Sequence, residues 1–388
     1  MRIVMFYHSL VSDWNHGNAH FLRGVVTELQ ARGHAVTVYE PADAWSAVNL
    51  FAEYGETAFE QFHTTFPQLE SICYIPATLD LDKALTGADL VLVHEWNQHD
   101  LVREVGEHRA RAKSYRLLFH DTHHRSATDP ESMAAYDLSN YDGVLAFGRV
   151  IQDLYLKRGW ARQAWTWHEA ADTRVFKPLR IPAGDANCPR LSNEAVGASF
   201  QSAVRNPQSA IEGDLVWIGN WGDEERTEEL REFLIEPVKA LKLRARMYGV
   251  RYPAAAQQML ADAGIEYAGW LPNYDVPKVF ARYRLTVHVP RRPYTEALPG
   301  IPTIRVFEAL ACGIPLICAE WQDSEKLFTA GADYLVARDG REMQQHLQAL
   351  LSNEAQASAL AEHGLCTIRA RHTCSQRVDE LLRIYREL

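Results

Sequence analysis

Two stretches of this 388-residue chain carry side chains able to do chemistry. The first is LLFHDTHHRS, residues 117–126, where His120, Asp121, His123 and His124 close an apolar run. Such groups can ligate zinc or iron, move protons, or hydrogen-bond within a polar bend. A strand-end loop rarely aims four side chains at one point, and no HExxH helical spacing is present, so no metal centre is expected. His120 ends a predicted strand, at the carboxyl edge where parallel sheets place their ligands. It is either the functional histidine of the stretch or a strand-end imidazole bonded to backbone. His16 and His20, at i and i+4, have chelating spacing only if both face inward, and an exposed helix start is the simpler reading. The second stretch is PGIPTIRVFEALACGIPLIC, residues 299–318. Gly300 and its neighbouring prolines predict a tight turn, and Thr303 an N-cap whose helix offers backbone amides to a diphosphate. Glu308, roughly one turn further in, can accept two hydrogen bonds from vicinal ribose hydroxyls or simply complement the helix dipole.

Holding these stretches in place calls for alternating strands and helices. RIVMFYH is a continuous apolar run, as a strand buried on both faces of a parallel sheet requires. GNAHFLRGVVTELQARGH then places Phe21, Leu22, Val25, Val26 and Leu29 at helical spacing and stops at Gly33. Further strands are predicted at AVTVYE, SICYIP, ADLVLVHE, YRLLFH, GVLAFG and QAWTWHE. The rhythm breaks over 180–213, a linker rich in Pro, Ser, Asn and Gly, and restarts at DLVWIGNW. One long charged helix is expected next, EERTEELREFLIEPVKALKL. After it come the strands ARMYG, IEYAGW, LTVHVP, IPLICAE and YLVAR, the helix TIRVFEALACG, and three closing helical patterns. The fold class is α/β, with two doubly wound parallel sheets facing across a cleft. The domains read as 1–179, a linker at 180–213, 214–365, and a terminal helical segment at 366–388.

Composition narrows the function. Lys plus Arg number 40 against 50 Asp plus Glu, a net charge of −10 that argues against nucleic-acid and anionic-membrane partners. With 47% apolar and 23% charged residues the chain reads as a globular protein, and no apolar run is long enough to span a bilayer. MRIVMFYHSLVSDW meets His8 and Asp13 too early to read as a signal peptide. The six cysteines form no CxxC pair, and free thiols in a reducing cytoplasm are expected. The aromatic-rich segment 45–66 is expected either to pack as amphipathic helices or to shape a pocket.

FEALACGIPLI resembles the donor-binding signature of GT-B-fold glycosyltransferases, close to family 4 and to the CgeB-like (spore maturation protein) group. The order of landmarks is similar over nearly the whole chain. ADLVLVHEWN and YRLLFHDTHH look like that fold's consecutive strand-end histidine motifs, ADTRVFKP like the close of its first domain, and LVWIGNWGDEERTEEL like the opening of its second. The resemblance implies a cytoplasmic, retaining, metal-independent enzyme with no cofactor. Its substrates are a nucleotide-diphosphate sugar and an acceptor that is a glycan, a lipid-linked sugar or a small molecule, with any membrane contact peripheral. It implies Glu308 on the ribose, and Gly300, Thr303, Asn220 and Arg305 or Arg226 around the diphosphate, with Arg291 and Arg292 as further cations. His120 falls beside the reacting sugar, while Gly17, Asn18, His94, Asp121 and His124 fall on the acceptor side. The final helix is expected to cross back onto the first domain. Three departures stand out: Gly300 takes the place of family 4's additional glutamate, the first glycine loop is reduced to HGN at 16–18, and the family's Arg-and-Lys pair for the donor phosphates is not plainly present. A non-catalytic nucleotide- or glycan-binding protein and a nucleotide-sugar epimerase are the alternatives.

Overall fold

The computed structural model describes residues 1–179 and 211–388, so all but the last three residues of the predicted linker lie outside the described residues. Seven strands form the first sheet: β1 (Arg2–Phe6), β2 (Ala35–Pro41), β3 (Ser71–Tyr74), β4 (Leu90–His94), β5 (Arg116–Asp121), β6 (Gly143–Ala146) and β7 (Ala164–Thr166). Six form the second: β8 (Gly213–Ile218), β9 (Ala245–Tyr248), β10 (Ile265–Tyr267), β11 (Tyr283–His288), β12 (Leu316–Ala319) and β13 (Leu335–Ala337). Their orders are β3-β2-β1-β4-β5-β6-β7 and β10-β9-β8-β11-β12-β13. All neighbours are parallel. Each apolar run read as a strand forms one, and runs such as LVLVH of β4 are buried along their length because helices cover both faces.

In each sheet the order reverses beside the first strand, between β1 and β4 and between β8 and β11. Connections there leave toward opposite faces and open a crevice at the carboxyl edge. Loops from both crevices line one shared cleft.

Four helices matter most to that cleft. α1 (Ala19–Ala31) buries the predicted stripe of Phe21, Leu22, Val25, Val26 and Leu29. α2 (Trp45–Tyr54) stands at the mouth, α3 (Ile304–Ala311) starts at the cleft floor, and α4 (Cys374–Glu387) ends the chain. α4 opens with a capping box between Thr373 and Gln376 and lies on α1, where Arg32 meets Asp379 at 2.5 Å. Val378, Leu381 and Ile384 join Leu22 and Val25 in an apolar cluster that continues through Val306, Phe307 and Leu310 of α3. The two sheets therefore share a core.

The long charged helix is not continuous. An α-turn at Thr227–Leu230 passes into a π-turn at Arg231–Ile235, then into helix Glu236–Leu241. Pro237 has no N–H to donate to the carbonyl four residues back, and a widened turn relieves its ring clash there. Among the described residues no helix is long and apolar enough to cross a membrane. Cys73, Cys312, Cys318 and Cys374 are free thiols, whereas Cys366 is disulfide-bonded, so the expectation of a free thiol fails there.

Candidate active site

The cleft has a volume of about 820 Å³ and draws its walls from both sheets. The loops after β1, β4 and β5 supply His8, Gly17, Trp96, Thr122, His123 and His124. The loops after β8 and β11 supply Asn220, Arg226, Val289 and Arg291, and the start of α3 supplies Thr303 and Arg305.

The second-domain wall is cationic although the chain is acidic overall. Arg226 sits just before the Thr227–Leu230 turn, not on a helix, with its guanidinium 5.0 Å from the Trp217 ring centre. It donates to the carbonyl oxygens of Trp221 (3.2 Å), Val289 (2.9 Å) and Asn220. Among the described residues no carboxylate pairs with it, and burial beside Arg291 and Arg305 brings its pKa down to about 10, still cationic at neutral pH. Arg291 meets Glu225 at 3.0 Å, and Arg305 is bonded to Glu308. Arg292 turns away to Glu229 and is exposed. Asn220 lines the cleft while donating to Asn15 Oδ1 at 2.5 Å and accepting from the Val250 amide at 3.0 Å.

Thr303 is the N-cap residue of α3, yet its side chain does not cap the helix. Its hydroxyl bonds with His288 Nε2 at 2.9 Å, so the first-turn amides lack the predicted side-chain cap. Burial, with Arg226 and Arg305 nearby, holds the His288 pKa down at about 3, so that imidazole is neutral. Gly300 does not line the cleft. Its φ of +94° turns the chain so that a Cβ would meet Glu325 Cγ and Ser324 Oγ at 2.7 Å, and glycine is needed there for the backbone path.

On the first-domain wall the strand-end histidines sit deeper than expected. β5 runs through Asp121, so alternate residues face opposite layers. His120 points back with Leu118 toward Phe21 and Trp167, where its Nδ1 bonds Tyr7 Oη at 2.7 Å and its Nε2 has no partner among the described residues. Asp121 points the other way, accepting from the His123 amide (3.1 Å), Tyr155 Oη (3.0 Å) and Ser126 Oγ. Neither lines the cleft. His94 also lies behind the wall: Trp96 N–H points at its Nδ1 from 3.3 Å, and its Nε2 reaches Thr122 Oγ1 at 2.9 Å. Of the residues expected at the acceptor side, Gly17, Asn18 and His124 do line the cleft. A Cβ on Gly17 would stand 2.6 Å from Ile304 Cγ2, so the first loop needs glycine for α3 to close on it.

The imidazoles that reach the cleft are His8, His16, His123, His124 and His288. His8 Nε2 and His16 Nε2 lie 3.2 Å apart, and burial holds both below the usual histidine range, His16 at about 4. His16 and His20 face different ways, His20 being stacked on Phe176 at 3.7 Å. Among the described residues no group of three or more His, Cys, Asp or Glu is placed to hold a metal ion. His8 was overlooked in the sequence, although its position just past β1, at the order reversal, is the signal that marks it. Replacing His120 by phenylalanine should cost about 1–3 kcal/mol of stability through the orphaned Tyr7 hydroxyl and leave nucleotide affinity within about twofold. Chemical denaturation and calorimetry read these effects. A hundredfold loss of turnover at unchanged stability would return His120 to the reacting centre.

Glu308 is fully buried and outside the cleft lining. The Asp172 amide donates to His20 Nε2 at 2.8 Å, leaving His20 Nδ1–H to donate to Glu308 Oε1 at 3.1 Å. The other oxygen takes Arg305. Glu308 therefore ties α1 to α3 and fixes the Arg305 guanidinium, while asparagines add a second tie: Asn273 N–H to Asp13 at 3.0 Å and Asn220 to Asn15.

Residues 226–383 match the model of a family described as glycosyl transferase-like. No curated protein matches the chain in sequence. Among solved structures, sucrose-phosphate synthase from Thermosynechococcus elongatus is similar with a TM-score of 0.63 at 14% identity, over 100% of this chain and 98% of that one. A glycosyltransferase from Rickettsia africae gives 0.65 at 11% identity, again over 100% and 98%. Anabaena HepE in complex with UDP and glucose gives 0.66 at 13% identity, with both chains covered completely. The fold is that of the GT-B glycosyltransferases, two Rossmann-like domains with a cleft between them.

Proposed function

We propose that this protein is a glycosyltransferase that takes a sugar from a nucleotide diphosphate, most simply UDP-glucose or a close relative, and passes it to a hydroxyl of an acceptor. The observation that carries this reading is Arg226, a cleft cation with no carboxylate partner among the described residues, flanked by Arg291, Arg305 and the uncapped start of α3. Charge develops on the leaving diphosphate as the glycosidic bond breaks, and cations held in advance stabilise it without reorganising. UDP and glucose sit in the Anabaena relative, and a UDP-sugar fits a cleft of this size. Glu308 acts by positioning Arg305, and the neutral histidines of the opposite wall offer uncharged hydrogen-bond partners for sugar hydroxyls.

The mouth suits the acceptor. Trp45 and Trp96 line it while remaining 48% and 40% exposed, which places two indole faces where a sugar ring can stack. Transfer is proposed to retain anomeric configuration, with the departing phosphate taking the acceptor proton and no protein nucleophile, as the resemblance to family 4 and the CgeB-like group implies. The three guanidinium groups supply the charge that a divalent ion would otherwise bring, so neither metal nor cofactor is proposed, and a cytoplasmic site of action goes with it. The test is release of UDP from UDP-glucose and other UDP-sugars in excess chelator. Slow hydrolysis without acceptor, surviving chelation, supports the reading. Tight nucleotide binding with no turnover of any donor favours a binding module, and interconversion of the sugar without release favours an epimerase.

A further inference from the structure

Glu169, three residues past β7, is a cleft carboxyl that nothing in the described structure engages. It lines the cleft yet is only 5% exposed, and its Oε1 is buried without a hydrogen-bond partner. A buried carboxylate normally finds a cation or several donors, because the charged form is costly to desolvate. Two arginines stand on the elements that face it, and both are taken: Arg305 by Glu308 and Arg291 by Glu225. His168, its chain neighbour, pairs with Glu325 at 3.0 Å. The groups felt electrostatically by or from Glu169 are Glu308 of α3 and Tyr294, whose ring lies 5.8 Å from the Arg291 guanidinium. Glu169 thus reaches from the first domain toward the cationic wall, among groups that give it no countercharge.

We infer that Glu169 is a hydrogen-bond donor to the anionic diphosphate of the ligand, offering the proton of a neutral carboxyl across the cleft. An ionised carboxylate there would repel phosphate oxygens, whereas a carboxylic acid donates to them and fills its own vacant valence. Burial first, and then the Glu308 charge, push its pKa up to about 8, so the acid form prevails at neutral pH. The inference rests on the transferase reading for the identity of the anion. It adds a pH-dependent contact to those of the arginines.

The sign follows directly. If only the protonated form accepts the phosphate, affinity is full below about pH 8 and is lost as pH rises through that value. Between pH 7 and pH 9 the competent fraction falls about tenfold, and so does the affinity. Calorimetric titration of the whole protein with UDP at pH 7, 8 and 9 reads this. Glu169→Gln keeps an N–H donor that does not titrate; it should bind UDP as the wild type does at pH 7 and severalfold more tightly than the wild type at pH 9. It also controls for ionisation of UDP itself. Glu169→Ala should bind more weakly than Glu169→Gln throughout and show none of the wild type's loss between pH 7 and pH 9. Parallel pH profiles for wild type and Glu169→Gln would overturn the assignment to Glu169 while leaving the transferase reading intact. Absence of UDP binding to the wild type at every pH, together with no binding of other nucleoside diphosphates, would overturn the reading beneath it.

Discussion

Replacement of Arg226 by alanine should lower kcat/KM for the nucleotide sugar by about 10²–10³-fold, the range expected when one preorganised group facing developing charge is removed. Two features make the effect large. The guanidinium stands beside Arg291 and Arg305 on the same wall, and among the described residues no carboxylate pairs with it, so its charge can serve a phosphate. It is also held rigid by the carbonyls of Asn220, Trp221 and Val289 and by the Trp217 ring, so little ordering is needed when the ligand arrives. Lysine keeps the charge but lacks the planar fork that spans those carbonyls, and Arg226→Lys should fall between wild type and alanine. Arg292→Ala is the control, since that side chain is exposed and pairs with Glu229 outside the cleft. Steady-state rates, with thermal midpoints measured alongside, separate lost chemistry from lost packing. Equal losses for Arg226→Ala and Arg292→Ala would place the phosphate elsewhere.

Glu308→Ala should be the most destabilising single change in the site, by about 3–5 kcal/mol, because it leaves a buried ion pair half-made. His20 would lose the acceptor for its Nδ1–H, and Arg305 its countercharge, at the seam where α1 meets α3. Glu308→Gln preserves an acceptor for His20 and should cost less. A double-mutant cycle with His20→Ala should return a coupling of about 0.5–3 kcal/mol, as contacting residues do. Denaturant unfolding of the four proteins reads all of this. If Glu308 instead serves only as a ribose ligand, stability stays at the wild-type value, the coupling is near zero, and KM alone rises.

Much of the scaffold could be read from the residues. Continuous apolar runs of strand length, separated by amphipathic stretches, are what a sheet buried on both faces requires, and RIVMFYH, ADLVLVHE and IPLICAE all form strands. The π-turn just before Pro237, inside the stretch read as one long helix, was not legible. Side-chain direction was harder. Alternation puts His120 in the layer of Leu118 and Asp121 in the other, but a run buried on both faces does not mark which layer adjoins the cleft. Contacts between the domains were not legible: His20 and Glu308 are 288 residues apart, and Asn15 and Asn220 are 205 apart. Glu169 is the extreme case, since its interest lies in the partner it lacks, and a missing partner leaves no trace in composition or spacing.

On the proposed function, the cationic wall holds the diphosphate of a nucleotide sugar. A crystal structure of the protein with bound UDP-glucose tests it most directly. The β-phosphate should lie within hydrogen-bond distance of Arg226 and the first-turn amides of α3, with a phosphate oxygen reaching the Glu169 carboxyl. A nucleotide seated away from that wall, with Arg226 still bonded only to its three carbonyls, would contradict it.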